Sequence, residues 1–424
     1  MSRFWLRLDN AALIFPAIRK PSWSNVFRQS VTLTEKVDPE VLQQAADDLR
    51  PRFPSLYVRL RQGVFWYYLE ETAKPVLVRE DYAYPLTHMD FFEQRRACLR
   101  ILYYENRIAV EFFHALTDGT GAMVYTRALA GRYLQLKHGI SLTPEDGLPL
   151  AGEAPDPAEL EDSFLRYTGR FSMSRAEPNA CHLRGTPNRG GFRTLVTGIL
   201  PTDKLLETAH RYGVSVTVFL TAVLEKCILE MQAQKVPRPF RKHVKITVPV
   251  DLRRIFPSRT LRNFALALNP GVDARLGSYS LEDLCRVISH QIAAETLPQM
   301  MAARIAANVN PQKLLPLRLA PLAIKNLVMR AIYFSVGETK GCLNLSNLGR
   351  VTIPESMRPY VKRLEFIIGI QATYSNNCSV VSLDNVTCVN MIRSIRQSEL
   401  ERRFFSRLVE LGIPVDIETN QKEA

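Results

Sequence analysis

Residues 107–137 change their hydrophobic period midway, and this constrains the fold more than any other feature of the chain. In RIAVEFF, residues 107–113, Ile108, Val110 and Phe112 alternate with Ala109, Glu111 and Phe113, the period of a strand. From 120 to 137 the spacing becomes helical. Ala122, Leu129, Tyr133 and Leu136 share one stripe, with Met123, Ala130 and Leu134 beside it. A strand that turns directly into a helix predicts α/β layering. Residues 98–105 supply a second strand, joined to the first at Glu105-Asn106 as a hairpin, so the sheet is mixed rather than purely parallel.

The rest of the chain repeats this interleaving. Residues 26–34 read as a strand, and Asp38-Pro39 opens a helix that runs to about Leu49. Two strand-like stretches within 53–69 are separated by Gln62-Gly63, a hairpin turn. Residues 143–190 are rich in Pro, Gly and acidic clusters and read as a linker. Beyond it, strands are expected near 192–199, 243–250, 342–346, 364–371, 379–383 and 386–393. Helices are expected at 202–212, 215–233, 280–295, 317–334 and 397–411, the last ending at Gly412. The expected division is 1–145, a linker at 146–190, and 191–424.

A chain of 424 residues exceeds one ordinary core and suits two units of about 200 each. Its 46% hydrophobic and 23% charged residues are globular proportions. No uninterrupted apolar run reaches the roughly 20 residues of a membrane span. Asp9 and Asn10 interrupt the N-terminal apolar stretch, so no signal peptide is read. Seven scattered cysteines without a CxxC pair argue against a zinc site or disulfide framework, and fit a reduced, cytoplasmic setting.

The formal charge of +13 favours an anionic partner. Nucleic acid has only this charge in its favour, without a recognition motif or a basic-aromatic platform. Between Lys235 and Arg262 nine cations face one acid, Asp251. Arg253, Arg254, Arg259 and Lys245 are candidates to bind the phosphates of a cofactor or an acidic carrier. A solvated basic surface is the plainer reading, and Arg253 has a structural alternative, tying its loop to the core. Trp5, Trp23 and Trp66 are too far apart to form a cofactor box and are assigned to core or cavity wall. Residues 315–334 combine apolar positions with Arg318, Lys325 and Arg330. Their preferred reading is a helix covering a cleft, and weak membrane-surface contact is the lesser one.

His114 is the one histidine that combines a strand end, an Asp-Gly turn and a helix start. Near neutral pH an imidazole can take a proton from a hydroxyl or amine. The same position also suits a core histidine bonded to backbone, and the spacing leaves both open. Asp118 suits an N-cap, or an aspartate paired with an arginine that holds the turn. The chain lacks GxSxG, HExxH, P-loop and dinucleotide motifs.

His114-Ala115-Leu116-Thr117-Asp118-Gly119 resembles the HxxxDG signature of the chloramphenicol-acetyltransferase-like superfamily, which includes condensation domains. LRPRFPSLYVRL at 49–60, VPVDLRRIFPSRTLRNF at 248–264 and LNLSNLG at 343–349 also resemble segments of that superfamily, the last two those of bacterial alcohol-acetyltransferase-like members, and they occur in family order.

The resemblance implies two similar subdomains, each a mixed sheet with flanking helices, in a V-shaped α/β arrangement with a tunnel at the interface. It implies transfer of an acyl group from a coenzyme A thioester, as co-substrate, to a small alcohol, with His114 as general base and no acyl-enzyme. Asp118 would be structural, paired with Arg59 or, second, Arg52. Gly119 would let the backbone approach the site and offer its N–H to an oxyanion. Phe113, where many members carry a second histidine, favours alcohol acylation over peptide condensation. The family's DFGWG-like segment is not present in that form. Asn344, Ser346 and Asn347 stand in its place, lining the tunnel or, by preference, bracing a loop. The alternatives are an acyl carrier protein as donor and a non-catalytic docking module. A monomer is the expected state.

Overall fold

The computed structural model describes residues 4–19, 23, 25–72, 74–81, 84–173 and 177–421. Two five-stranded sheets organise them. The first runs Val361–Ile368, Val26–Leu33, Arg107–Phe113, Leu99–Tyr104, Val78–Glu80. Its neighbours are antiparallel except the last pair. The second runs Leu345–Val351, Asn376–Leu383, Val386–Arg393, Thr194–Pro201, Asp416–Thr419, with only the first pair parallel. The expected α/β class with mixed sheets is what forms.

The second strand of the first sheet, Val26–Leu33, is buried along its whole length although half of it is polar. Arg28, Gln29 and Ser30 find side-chain or backbone partners, as buried polar groups must. Arg28 pairs with Asp81 at 2.6 Å and Glu111 at 2.7 Å, and Glu111 also takes Arg100 at 2.9 Å. Burial alone would raise the Glu111 pKa, but Arg28 and Arg100 outweigh it and hold the carboxyl below its usual range. Gln29 Nε2 donates to Gly119 O at 2.7 Å. Helices Pro39–Leu49 and Gly119–His138 pack into the same core as this sheet. Asp38 caps the first of them, as its place before Pro39 predicts.

The second sheet shares a core with helices Thr202–Arg211, Val216–Lys235, Leu281–Glu295 and Glu399–Glu410. Gly198 lets that last helix sit close, since a Cβ there would lie 2.3 Å from Phe405. The two sheets meet where Val361–Ile368 runs beside Asn376–Leu383. No ladder joins these strands. Side chains bridge them instead: Ser379 Oγ donates to Phe366 O, and Asn377 Nδ2 to Gly369 O at 2.6 Å.

Several expectations need correction. Val361–Ile368 completes the N-terminal sheet from far beyond residue 191, so the sheets cross the division drawn from sequence. Residues within 146–190 pack against the rest of the chain. Arg52 holds Glu159 with two hydrogen bonds, Leu261 N–H donates to Glu159 O, and Phe164 packs edge-on against Phe264. Residues 174–176 of that segment lie outside the described residues. The hairpin turn spans Gly63–Trp66, because Gln62 already pairs with Tyr67. The strand expected at 243–250 is two, Val244–Lys245 and Val248–Asp251, each with its own partner strand. The helix expected at 317–334 breaks at Pro321 into Leu315–Leu319 and Leu322–Ile332, and of its residues only Leu322 and Lys325 are buried. Helix Pro298–Lys313 and strand Asp416–Thr419 were not foreseen. Trp23 is buried, but Trp5 is largely exposed, not core.

Candidate active site

Strand Arg107–Phe113 ends in the core of the first sheet, and His114 is the first residue beyond it. Its N–H donates to Asn25 O at 2.9 Å, which continues the sheet one step and fixes the backbone. The partly exposed imidazole stacks on Phe15 at 4.6 Å and meets the edge of Phe27 at 5.0 Å.

Asn263 contacts the ring and its backbone together. Its Nδ2 donates to His114 O at 3.0 Å and to Asp9 Oδ2 at 3.1 Å. The amide oxygen therefore faces His114 Nδ1, at 3.0 Å. An amide oxygen only accepts, so Nδ1 carries the hydrogen and Nε2 keeps its lone pair. Burial lowers the His114 pKa from its ordinary value, outweighing the opposing pull of its own backbone, Asp118, Asn263 and Asp9. The ring thus stays a neutral base to lower pH than a free histidine. Asp9, buried behind Asn263, has its pKa raised by that burial. The neighbouring Asp162 is pushed up to about 6, first by burial and then by Asp9.

Asp118 does two structural tasks. Oδ1 accepts from Gly121 N–H at 3.0 Å and caps helix Gly119–His138. Oδ2 accepts from Arg253 Nη1 and from Phe264 N–H, both at 2.8 Å. Arg253 is the arginine partner, and the two first candidates are not. Arg59 pairs with Glu70, and Arg52 with Glu159. Arg253 donates further to Asp251, Thr260 O and Arg262 O. With its donors spent inside the fold, it is a brace rather than a phosphate ligand.

The segment 248–264 closes over the turn very tightly. A Cβ on Gly121 would lie 2.1 Å from Leu261 O, so only glycine fits. A Cβ on Gly119 would lie 2.8 Å from Leu348 Cδ2, placing strand Leu345–Val351 against the helix start. The segments resembling the superfamily thus converge: one supplies Arg253 and Asn263, the other Leu348.

The remaining candidates divide. Lys245 is buried and paired with Glu177 at 3.1 Å, which removes it from the surface. Arg259 is exposed and meets Asp156 at 3.0 Å. Arg254 is exposed, its Nη2 3.7 Å from where a Cβ on Gly349 would lie. Phe113 is fully buried in the first core rather than on a cavity wall. Asn347 braces its strand, accepting from Gly349 N–H and donating to Thr217 Oγ1. Asn344 N–H donates to Asn377 Oδ1 at 2.8 Å, and Ser346 sits in the ladder opposite Ser379. A cleft of about 510 Å³ opens between the sheets, lined by Trp23, Val26, Gly369, Ile370, Ile392 and Ile395. Val26 pairs with Phe113, the residue before His114.

Sequence reasoning missed Asn263 and Asp9. Asn263 stands in a basic run read for its charge, and Asp9 was read only as an interruption of an apolar stretch. Neither has a local signal, because both act across more than 140 residues of chain.

No family model matches the chain, and no curated protein matches it. Solved structures do match along nearly its whole length. TRI101 from Fusarium sporotrichioides, complexed with coenzyme A and T-2, aligns with a TM-score of 0.65 at 11% identity, covering 98% of this chain and 99% of that one. TRI3 trichothecene 15-O-acetyltransferase from the same organism gives 0.59 at 11%, covering 96% and 94%. The epimerization domain from the third module of tyrocidine synthetase B gives 0.61 at 11%, covering 97% and 96%. Such likeness establishes architecture, and an epimerization domain among the neighbours shows that the architecture hosts more than one chemistry. The chain shares the α/β fold of these acetyltransferase and epimerization-domain structures along nearly its whole length.

Proposed function

We propose that this protein is an acyltransferase that moves an acyl group from a coenzyme A thioester to an alcohol, with His114 as the general base. The observation that carries the reading is the Asn263 contact, which leaves Nε2 as the basic nitrogen of a half-buried imidazole. The neighbours' names support the donor and the acceptor class: one is solved with coenzyme A, another is an O-acetyltransferase.

In this reading Nε2 accepts the hydroxyl proton as the alcohol oxygen attacks the thioester carbonyl. The C–O bond forms, the C–S bond breaks, and the imidazolium returns its proton to the departing thiolate. Asp118 and Arg253 hold the turn and touch no reactant. Gly119 keeps the helix start free of a side chain. Arg254 is the donor-phosphate candidate, since it is exposed and sits beside the strand that packs on Gly119. The cleft at Trp23 and Ile370 is a route for the acceptor.

The test follows free thiol released from a series of acyl-CoAs offered with an alcohol panel. Alcohol-dependent release that disappears in His114→Ala supports the reading. Equal release by the variant overturns the role of His114. Turnover only from an acylated carrier protein replaces the donor, and turnover from neither donor returns the chain to a binding module.

A further inference from the structure

The two short helices Leu315–Leu319 and Leu322–Ile332 project an apolar surface that none of the described residues covers. Leu314, Leu315, Leu319, Ile324, Leu327 and Ile332 are all more than half exposed. The hairpin tip at 63–66 extends the surface, with Val64 73% and Phe65 44% exposed. The tip and the second helix are locked together. Leu322 N–H donates to Val64 O at 3.0 Å, and Lys325 Nζ donates to Phe65 O at 3.0 Å and to Arg318 O at 3.1 Å. The Lys325 ammonium also lies 3.5 Å from the centre of the Trp66 ring. The apolar side chains therefore stand on a fixed platform rather than on a loose loop. A contiguous exposed patch of this kind marks a contact surface.

Its charge indicates what it contacts. From 298 to 337 the sequence has no Asp or Glu, yet it carries Arg304, Lys313, Arg318, Lys325 and Arg330. Lys313, Arg318 and Arg330 are exposed, and among the described residues none has a carboxylate partner, while Arg330 Nε donates to Ala17 O. Apolar side chains flanked by cations that no carboxylate neutralises complement a surface that is anionic outside and hydrocarbon beneath.

We propose that this platform docks the protein onto an anionic lipid bilayer, with the leucines entering the headgroup boundary and Lys313, Arg318 and Arg330 meeting phosphates. The docking does not depend on the reaction assigned to His114. No helix among the described residues is long and apolar enough to cross a membrane, so the contact is lateral.

Co-sedimentation with vesicles tests it. Wild type is expected to pellet with phosphatidylcholine vesicles containing phosphatidylglycerol, to pellet less with phosphatidylcholine alone, and to be released by salt. Leu315→Asp with Leu327→Asp places charges at two exposed positions and is expected to weaken partitioning on the order of tenfold or more, with an unchanged circular dichroism spectrum. Lys313→Gln with Arg318→Gln is expected to remove only the preference for phosphatidylglycerol. The proposal fails if wild type ignores phosphatidylglycerol vesicles, or if the aspartate variant binds them equally. It also fails if wild type sediments as a dimer that the aspartate variant dissolves while neither binds vesicles, which would make a second copy the occupant.

Discussion

The amide oxygen of Asn263 lies 3.0 Å from Nδ1 of His114, and the same amide donates to the backbone oxygen of His114. One residue thereby fixes both the tautomer and the position of the proposed base, across 149 residues of chain.

Removing that contact tests positioning separately from folding. Asn263→Ala is expected to lower kcat roughly 10–100-fold with little change in KM. The Asn263 bond also raises the His114 pKa, so its loss moves the acid limb of kcat/KM to lower pH. A purely structural role would leave that limb in place.

The pH dependence of the wild type follows from the lowered His114 pKa. The fold favours the neutral ring, so the folded protein binds fewer protons than the unfolded chain between the lowered value and the ordinary 6.5. This contribution to stability is present above 6.5 and is lost as pH falls through the folded value. Activity keeps its base to the same lower pH, so the acid limb of kcat/KM is expected below 6.5. His114→Ala should cost about 10²–10⁴-fold in rate with a near-normal melting temperature.

Asp118 and Arg253 form a pair with side chains only 8% and 12% exposed. Arg253→Ala leaves the mostly buried Asp118 carboxylate without its cation, which costs about 3–5 kcal/mol, whereas Asp118→Asn costs less because Arg253 keeps Asp251 at 2.9 Å. Urea denaturation of both single variants and the double variant should show strong coupling. Activity is expected to fall with stability. Full stability with lost activity would place Asp118 in the chemistry.

The two glycines of the turn should respond differently. Gly121→Ala drives a Cβ into the Leu261 carbonyl, which is backbone and cannot swing away, so the variant is expected to lose the closed turn and most of its soluble yield. Gly119→Ala meets only the tip of Leu348, which can rotate, and is expected to fold with a modest loss of melting temperature.

Glu225 is fully buried in helix Val216–Lys235, and neither carboxyl oxygen has a hydrogen-bond partner. Burial, followed by Cys181, raises its pKa well above 4.5. A raised carboxylate pKa gives stability that is present at low pH and lost as pH rises. Glu225→Leu is therefore expected to be more stable than wild type at neutral pH by about 1–3 kcal/mol, with the gap closing below pH 4.5.

What the sequence revealed follows how local each signal is. The strand at 107–113, its turn at Glu105-Asn106, the cap at Asp38 and the helix after Asp118 all depend on neighbours in the chain, and all form as read. The partner of Asp118 depends on which segment crosses the helix start, and nothing near Arg52 or Arg59 reports that. Arg253 offers two readings, a phosphate ligand or a tie of its loop to the core, and its burial among acceptors fits the second. The 243–250 stretch has strand composition throughout, yet its two ends pair with different strands. The break at Pro321 was legible in the residue itself, whereas the exposure of the helix beyond it depends on what else packs there.

The strand Val361–Ile368 carries a consequence for synthesis. Val26–Leu33 needs it as a neighbour, and residues 114–360 must be translated first. At ordinary elongation rates that interval lasts on the order of ten seconds or more. Throughout it, a strand destined for complete burial presents an open edge, the kind that recruits other chains. Nascent protein halted before residue 361 should therefore depend on chaperones, and the N-terminal half expressed alone should aggregate rather than fold.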